Sequence, residues 1–167
     1  RKKIMTFDKN WDLDIYKRKK QINKYPYDKI VSSINRYFNK KKTSVKKLNA
    51  LDLGCGAGNN TKFLCEYGFG SVIGIDGSKS AIKFAEKFLK KNKNCKLVVN
   101  DFNKLKVKNN SISVCIDRGS ITHNNKKNIK LIFSEVYRTL KHKGMFISCL
   151  FSKNHYAYKK SKYLFFK

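Results

Sequence analysis

The chain has 167 residues, 41% hydrophobic and 13% aromatic, and carries a formal charge of +28. That length and apolar content support one domain with a real core and exclude a disordered chain. No apolar run approaches the ~20 residues of a membrane span, and the basic N-terminus lacks the apolar stretch of a signal peptide. A cytoplasmic protein with no membrane span is expected.

The charge invites a nucleic-acid reading, but composition argues against it. Of the 39 basic residues 34 are Lys and 5 are Arg. Lysine and the abundant asparagine are both written with A-rich codons, and lysine clusters run along the whole chain. Phosphate and base recognition prefers the guanidinium fork. No specific nucleic acid is expected, only a nonspecific, salt-sensitive attraction to polyanions. The cysteines, Cys55, Cys65, Cys95, Cys115 and Cys149, form no C-x-x-C pair. They read as reduced small hydrophobes, with no metal site and no disulfide.

In chain order, residues 1–25 are polar with isolated aromatics, an arm or lid in which Trp11, Tyr16 and Tyr25 could close over a ligand. Pro26 opens a helix whose apolar stripe is Ile30, Val31, Ile34, Tyr37 and Phe38. A lysine-rich linker ends this first unit, residues 1–47, and a second unit fills 48–167. There the pattern alternates: strand 48–53, helix 60–67 closed by Gly68, strand 71–75, helix 78–91 with Ser78 as N-cap, strand 96–99, strand 112–116, helix 128–140, and, past Gly144, strand 145–151. Such alternation predicts an α/β fold, a mostly parallel, doubly wound sheet with ligands beyond the carboxyl ends of its strands.

The acidic residues point to those ends. Only 11 residues are acidic and eight are Asp, four of them at or near strand ends: Asp52, Asp76, Asp101 and Asp117. Asp in turns after strands is common and accounts for one or two, less well for four beside a glycine loop. That loop is Gly54-Cys55-Gly56-Ala57-Gly58, between a strand and a helix. Its glycines permit a tight turn and close backbone approach to a ligand. A dinucleotide fingerprint would need glycine where Asn59 stands, and no Walker lysine occurs.

Leu51-Asp52-Leu53-Gly54-Cys55-Gly56-Ala57-Gly58-Asn59-Asn60 resembles the first motif of class I S-adenosylmethionine-dependent methyltransferases, with their Rossmann-like fold. Gly74-Ile75-Asp76-Gly77-Ser78, Asn100-Asp101-Phe102 and Val114-Cys115-Ile116-Asp117-Arg118-Gly119 resemble their later motifs. Gln21–Pro26 and Ile121–Asn124 are similar to a bacterial subfamily associated with surface-polysaccharide gene clusters. The resemblance implies S-adenosyl-L-methionine as cofactor. Gly54, Gly56 and Gly58 would approach its methionine part and Asp52 its ammonium. Asp76, with Gly77 and Ser78 behind it, would take the ribose hydroxyls. Asp101 would read the adenine amino group, with Phe102 against the ring, and Asp117 would lie near the methyl and ammonium. His123 is the candidate base for a hydroxyl acceptor. Arg118 either holds an anionic substrate or pairs with Asp117, the second being preferred.

The implied acceptor is a small molecule, with a sugar or sugar phosphate among the candidates. The alternatives are an RNA or DNA methyltransferase, a nucleic-acid-binding protein of the same fold, or an inactive relic. Five strands are counted where the family has seven, so a C-terminally incomplete chain is expected. Its last strand would then expose an apolar edge that favours association; no particular oligomeric state is fixed.

Overall fold

The computed structural model describes residues 7, 9–18, 22–41 and 44–152. One parallel sheet forms the centre, in the order β3-β2-β1-β4-β5. Its strands are β1 (Asn49–Leu53), β2 (Ser71–Asp76), β3 (Cys95–Val99), β4 (Ile112–Arg118) and β5 (Leu140–Cys149). The helices are α1 (Asp28–Lys41), α2 (Asn59–Tyr67), α3 (Lys79–Phe88) and α4 (Lys126–Thr139). The strand order reverses between β1 and β4, so a crevice opens above their carboxyl ends, where ligands bind in open α/β sheets.

Strand alternation sorts the side chains onto two faces. Ala50, Val72, Val114 and Ile116 pack with Ile30, Ile34 and Phe38 of α1, Leu64 and Cys65 of α2, and Ala85 and Leu89 of the α3 side. Leu51, Leu53, Ile75, Ile112 and Cys115 pack on the other face with Ile132 and Val136 of α4 and Phe102, Leu105 and Val107. α1 therefore shares one core with β1 and β4, and no break in packing falls at residue 47. The helix proper starts two residues after Pro26; the Tyr27 carbonyl accepts its first bonds, from the amides of Ile30 and Val31.

The connection from β3 to β4 carries Asp101 and Phe102 and is tied down by one side chain. Arg138 of α4 donates to the carbonyls of Leu105 (3.0 Å) and Val107 (2.9 Å) while its fork is held by Glu135. Glu135 in turn accepts from the Leu105 amide at 2.7 Å.

β5 departs from expectation. It begins at Leu140, directly after α4, and ends at Cys149, so Phe151 lies beyond it. Leu140 pairs with Ile112, but the next pair is Met145 with Val114. The extra residues form a bulge with Lys143 in the left-handed region (φ 60°). The exposed Lys141, His142 and Lys143 sit in it, and such charges blunt a sheet edge against pairing with another chain. Among the described residues β4 is the only strand paired with β5. No helix of the described residues is long and apolar enough to cross a membrane.

Candidate active site

The glycine loop is built from β1 and fastened to β2. The amides of Gly54 and Cys55 both donate to the Ile75 carbonyl, at 2.8 and 2.9 Å. Gly54 and Gly56 hold φ of +75° and +54°, a region that L side chains avoid. A Cβ on Gly54 would stand 2.3 Å from Ser120 Cβ, and one on Gly56 2.6 Å from Tyr16 Oη. Gly58, also left-handed (φ +91°), does something else: a Cβ there would meet Leu89 Cδ1 at 2.8 Å and Ala85 Cβ at 3.1 Å. Its bareness admits the α3 side against the loop, and it does not line the cavity.

Asp76, at the end of β2, is 7% exposed. Its Oδ2 accepts from the Gly56 amide at 2.9 Å and its Oδ1 from the Ser78 amide at 2.8 Å. Burial raises the carboxyl above its ordinary value, and these two amide bonds pull against that rise. A carboxylate has about four lone-pair positions. Two are used, so each oxygen can still accept from a ligand hydroxyl. Ser78 is itself buried and caps α3, its side chain accepting from the Ala81 amide at 3.0 Å. Its part is to shape the loop around Asp76.

Two other carboxylates lie under the floor, away from the cavity where they were expected. Asp52 is 1% exposed and accepts from the Thr61 hydroxyl at 2.6 Å. Burial, the chief cause, with the charges of Asp117 and Asp76, pushes it up to about 7, against the Thr61 bond. Asp117 is fully buried. Its Oδ1 accepts from the Ser120 hydroxyl and from the amides of Ser120 (2.9 Å) and Ile121 (3.2 Å). Its Oδ2 accepts from the Ser148 hydroxyl at 2.8 Å. Asp117 thus joins the turn Ile121–His123 to β4 and β5, and among the described residues it forms no ion pair with Arg118, the pairing that was expected.

The arm roofs the site. One wide helical turn, Trp11–Tyr16, crosses above the glycine loop. Asp12 latches it: its Oδ1 accepts from Ser78 Oγ at 2.5 Å and from the Ser80 amide at 3.0 Å. Burial would raise the Asp12 carboxyl, but Ser78, Ser80 and the charge of Lys17 hold it below 3.8. Tyr16 lies over Gly56, and burial, then the charge of Asp76, raises its phenol far enough to keep the proton. Phe7 packs on Gly77, where a Cβ would meet its Cγ at 2.3 Å, and its amide donates to Asp101 Oδ2 at 3.2 Å. Tyr25, the third lid candidate, is 84% exposed and takes no part. Asp12→Ala is expected to free the arm. Tryptic cleavage after Lys17 and Arg18 should quicken several-fold, while stability falls by no more than the ~1.5–3 kcal/mol of a hydrogen bond to a charged group. Unchanged cleavage would show that the arm is held elsewhere.

Loop, strand ends and arm enclose a cavity of about 490 Å³, within the range of small-molecule sites. Gly54, Gly56, Asp76 and Phe102 line one end with Phe7, and Arg118, Ser120, His123 and Phe151 line the other, with Trp11 and Tyr16 above. His123 meets Trp11 edge to face at 4.9 Å between ring centres. The glycine cradle and the buried acceptor at Asp76 fit an adenosyl amino acid: the loop leaves room for backbone approach and Asp76 for a ribose diol.

Several cavity residues escaped the sequence reading. Phe7 and Phe151 belong to no motif; Asn23 lies in the Gln21–Pro26 stretch, and Asn59 and Asn60 in the first motif, but none of the three was given a role. Asn60 accepts from the Tyr27 amide at 2.8 Å and Asn59 donates to the Tyr25 carbonyl at 2.7 Å, which moors the arm's end to α2. The cysteines are free, with Cys55, Cys65 and Cys115 buried.

Parallel sheet, glycine cradle and acidic β2 terminus together define a class I methyltransferase. Residues 50–144 match the family model described as methyltransferase domain, and the chain belongs to that family, whose methyl donor is S-adenosylmethionine. EEF1A lysine methyltransferase 2 of Homo sapiens is 33% identical over 115 residues, which is 63% of this chain and 49% of that protein. The chain thus spans about half the length of this curated relative. The PH0226 protein from Pyrococcus horikoshii OT3 superposes with a TM-score of 0.60 at 28% identity, covering 79% of this chain and 64% of that one. The YcgJ protein from Bacillus subtilis gives 0.61 at 22% identity, over 71% and 50%.

Proposed function

We propose that this domain moves the methyl group of S-adenosylmethionine onto a small-molecule acceptor, a sugar or sugar phosphate among the candidates. The observation that carries the reading is the single cavity joining the Gly54–Asp76 end to the His123–Arg118 end under an aromatic roof. A roofed cavity suits an acceptor that enters whole. When bound, the cofactor supplies an electrophilic methyl on a sulfonium. The chain's own work is then alignment and exclusion of water. Asp76 accepts from the ribose hydroxyls and Phe102 supports the adenine. Asp101 takes the adenine amino group, and the Gly54–Gly56 backbone lets the methionine part approach. Trp11 and Tyr16 keep water from the reacting end, Tyr16 as an un-ionised phenol. His123, oriented by Trp11, accepts the proton of a hydroxyl or amine acceptor. Five free thiols are in keeping with a cytoplasmic setting.

A second reading, methylation of a protein lysine, is favoured by the 33% identity to a human lysine methyltransferase. Calorimetry tests the common ground: S-adenosylhomocysteine should bind and NAD should not. Radiolabelled methyl groups from S-adenosylmethionine, offered with a cell extract, then separate the acceptors. Label in an acid-soluble product that chromatography separates from S-adenosylmethionine is the expected result. Label in protease-sensitive precipitate would replace this reading with the second, and label in nuclease-sensitive precipitate would point to nucleic acid.

A further inference from the structure

Two charged side chains line the cavity among the described residues, Asp76 at the cofactor end and Arg118 at the other. Asp76 is already engaged by the amides of Gly56 and Ser78. Arg118 is the last residue of β4, and its guanidinium stands over the ring of Tyr27, 5.0 Å from the ring centre. An aromatic face attracts the cation without consuming its N–H donors. The backbone of Tyr27 is anchored in turn, its amide donating to Asn60 Oδ1. The adjacent Asp117 is turned instead to Ser120, Ile121 and Ser148, which give it four hydrogen bonds. None of the ion pairs among the described residues includes Arg118. Asp28, exposed in the first turn of α1, acts on Cys149 electrostatically, as Arg118 does, but forms no ion pair with it.

A positioned cation with no ion-paired carboxylate among the described residues, on the wall of a cavity that would also receive a cationic sulfonium, selects by charge. A protonated amine there would meet two like charges. A phosphate or carboxylate would gain charge-assisted bonds from a fork shaped for it. We propose that Arg118 determines acceptor specificity, and that the acceptor bears a phosphate or carboxylate which pairs with its guanidinium. This rests on the methyltransferase reading and narrows it to anionic acceptors, against lysine side chains.

The same chemistry has a second source, the cofactor's own α-carboxylate, and the experiment separates the two. Trp11 is the only tryptophan of the chain and lines the cavity, so its fluorescence reports on this site. Inorganic phosphate is titrated at constant ionic strength into the full chain saturated with S-adenosylhomocysteine. A saturable change is expected for the native chain. Arg118→Gln should need at least tenfold more phosphate, Arg118→Lys should fall between, and Lys130→Gln on the exposed side of α4 should match the native chain. S-adenosylhomocysteine affinity should stay within twofold in Arg118→Gln. Equal phosphate titrations for native chain and Arg118→Gln would overturn the proposal. So would an Arg118→Gln variant that loses affinity for S-adenosylhomocysteine but not for methylthioadenosine, which lacks the carboxylate. Absence of any S-adenosylhomocysteine heat with the native chain would instead overturn the methyltransferase reading itself.

Discussion

Asp76→Ala is expected to weaken S-adenosylhomocysteine binding by about 1.5–3 kcal/mol, roughly ten- to 150-fold, the scale of hydrogen bonds to a charged group. The variant removes both the ribose acceptor and the clip between the Gly56 and Ser78 amides. Fold stability should fall much less, because burial already disfavours the charged carboxylate. Calorimetry gives the affinity and thermal melting gives the stability, so the two effects separate. Asp76→Asn should lie between, since it keeps one oxygen while turning two donors toward backbone N–H groups. Native affinity in Asp76→Ala would mean that the cofactor does not use the end of β2.

Asp52→Asn is expected to stabilise the protein at alkaline pH and to flatten its pH dependence. The Asp52 carboxyl titrates near 7 in the fold against 3.8 outside it. The folded state therefore holds this proton more tightly than the unfolded chain. The stabilisation is complete below about 3.8 and is lost as pH rises through 7. Above that the fold carries a buried charge near Asp117 and Asp76, relieved only by the Thr61 hydroxyl. A displacement from 3.8 to about 7 corresponds to at most about 4 kcal/mol, and each kcal/mol moves the midpoint of a domain this size by about 2–4 °C. Melting curves between pH 4 and 8 should fall steeply for the native chain and gently for Asp52→Asn, with Asp76 and Asp117 supplying the remaining slope. Parallel curves would show that Asp52 is ionised throughout.

What the sequence disclosed was set by local chemistry. The five strands, Ser78 as cap of α3 and the left-handed turns at Gly54 and Gly56 follow from alternation, capping and backbone freedom, and all are present. Asp117 was misread because its strand-end position was weighed and its spacing to Ser120 was not. An Asp three residues before a Ser in a turn can accept from that turn's amide and hydroxyl, which is what Asp117 does. Gly58 faces the α3 side through a contact with Leu89, thirty-one positions on, that no local pattern encodes. The first 25 residues were read as an arm or lid from their isolated aromatics, but isolated residues have no period. Nothing distinguished Trp11 and Tyr16, which face the cavity, from Tyr25, which faces water.

The Phe7 amide sits on the carboxylate of Asp101, with its ring on Gly77. If Asp101 takes the adenine amino group and the Phe7 ring must leave Gly77 for the adenine to enter, binding becomes an exchange. Only the fraction of molecules with Phe7 withdrawn is competent, and the apparent dissociation constant is the intrinsic one divided by that fraction. A withdrawn population of about 1% would cost about a hundredfold, roughly 2.7 kcal/mol. Association would then stop accelerating at high cofactor concentration and level off at the rate at which residue 7 lets go, a plateau that the cofactor's own chemistry does nothing to set.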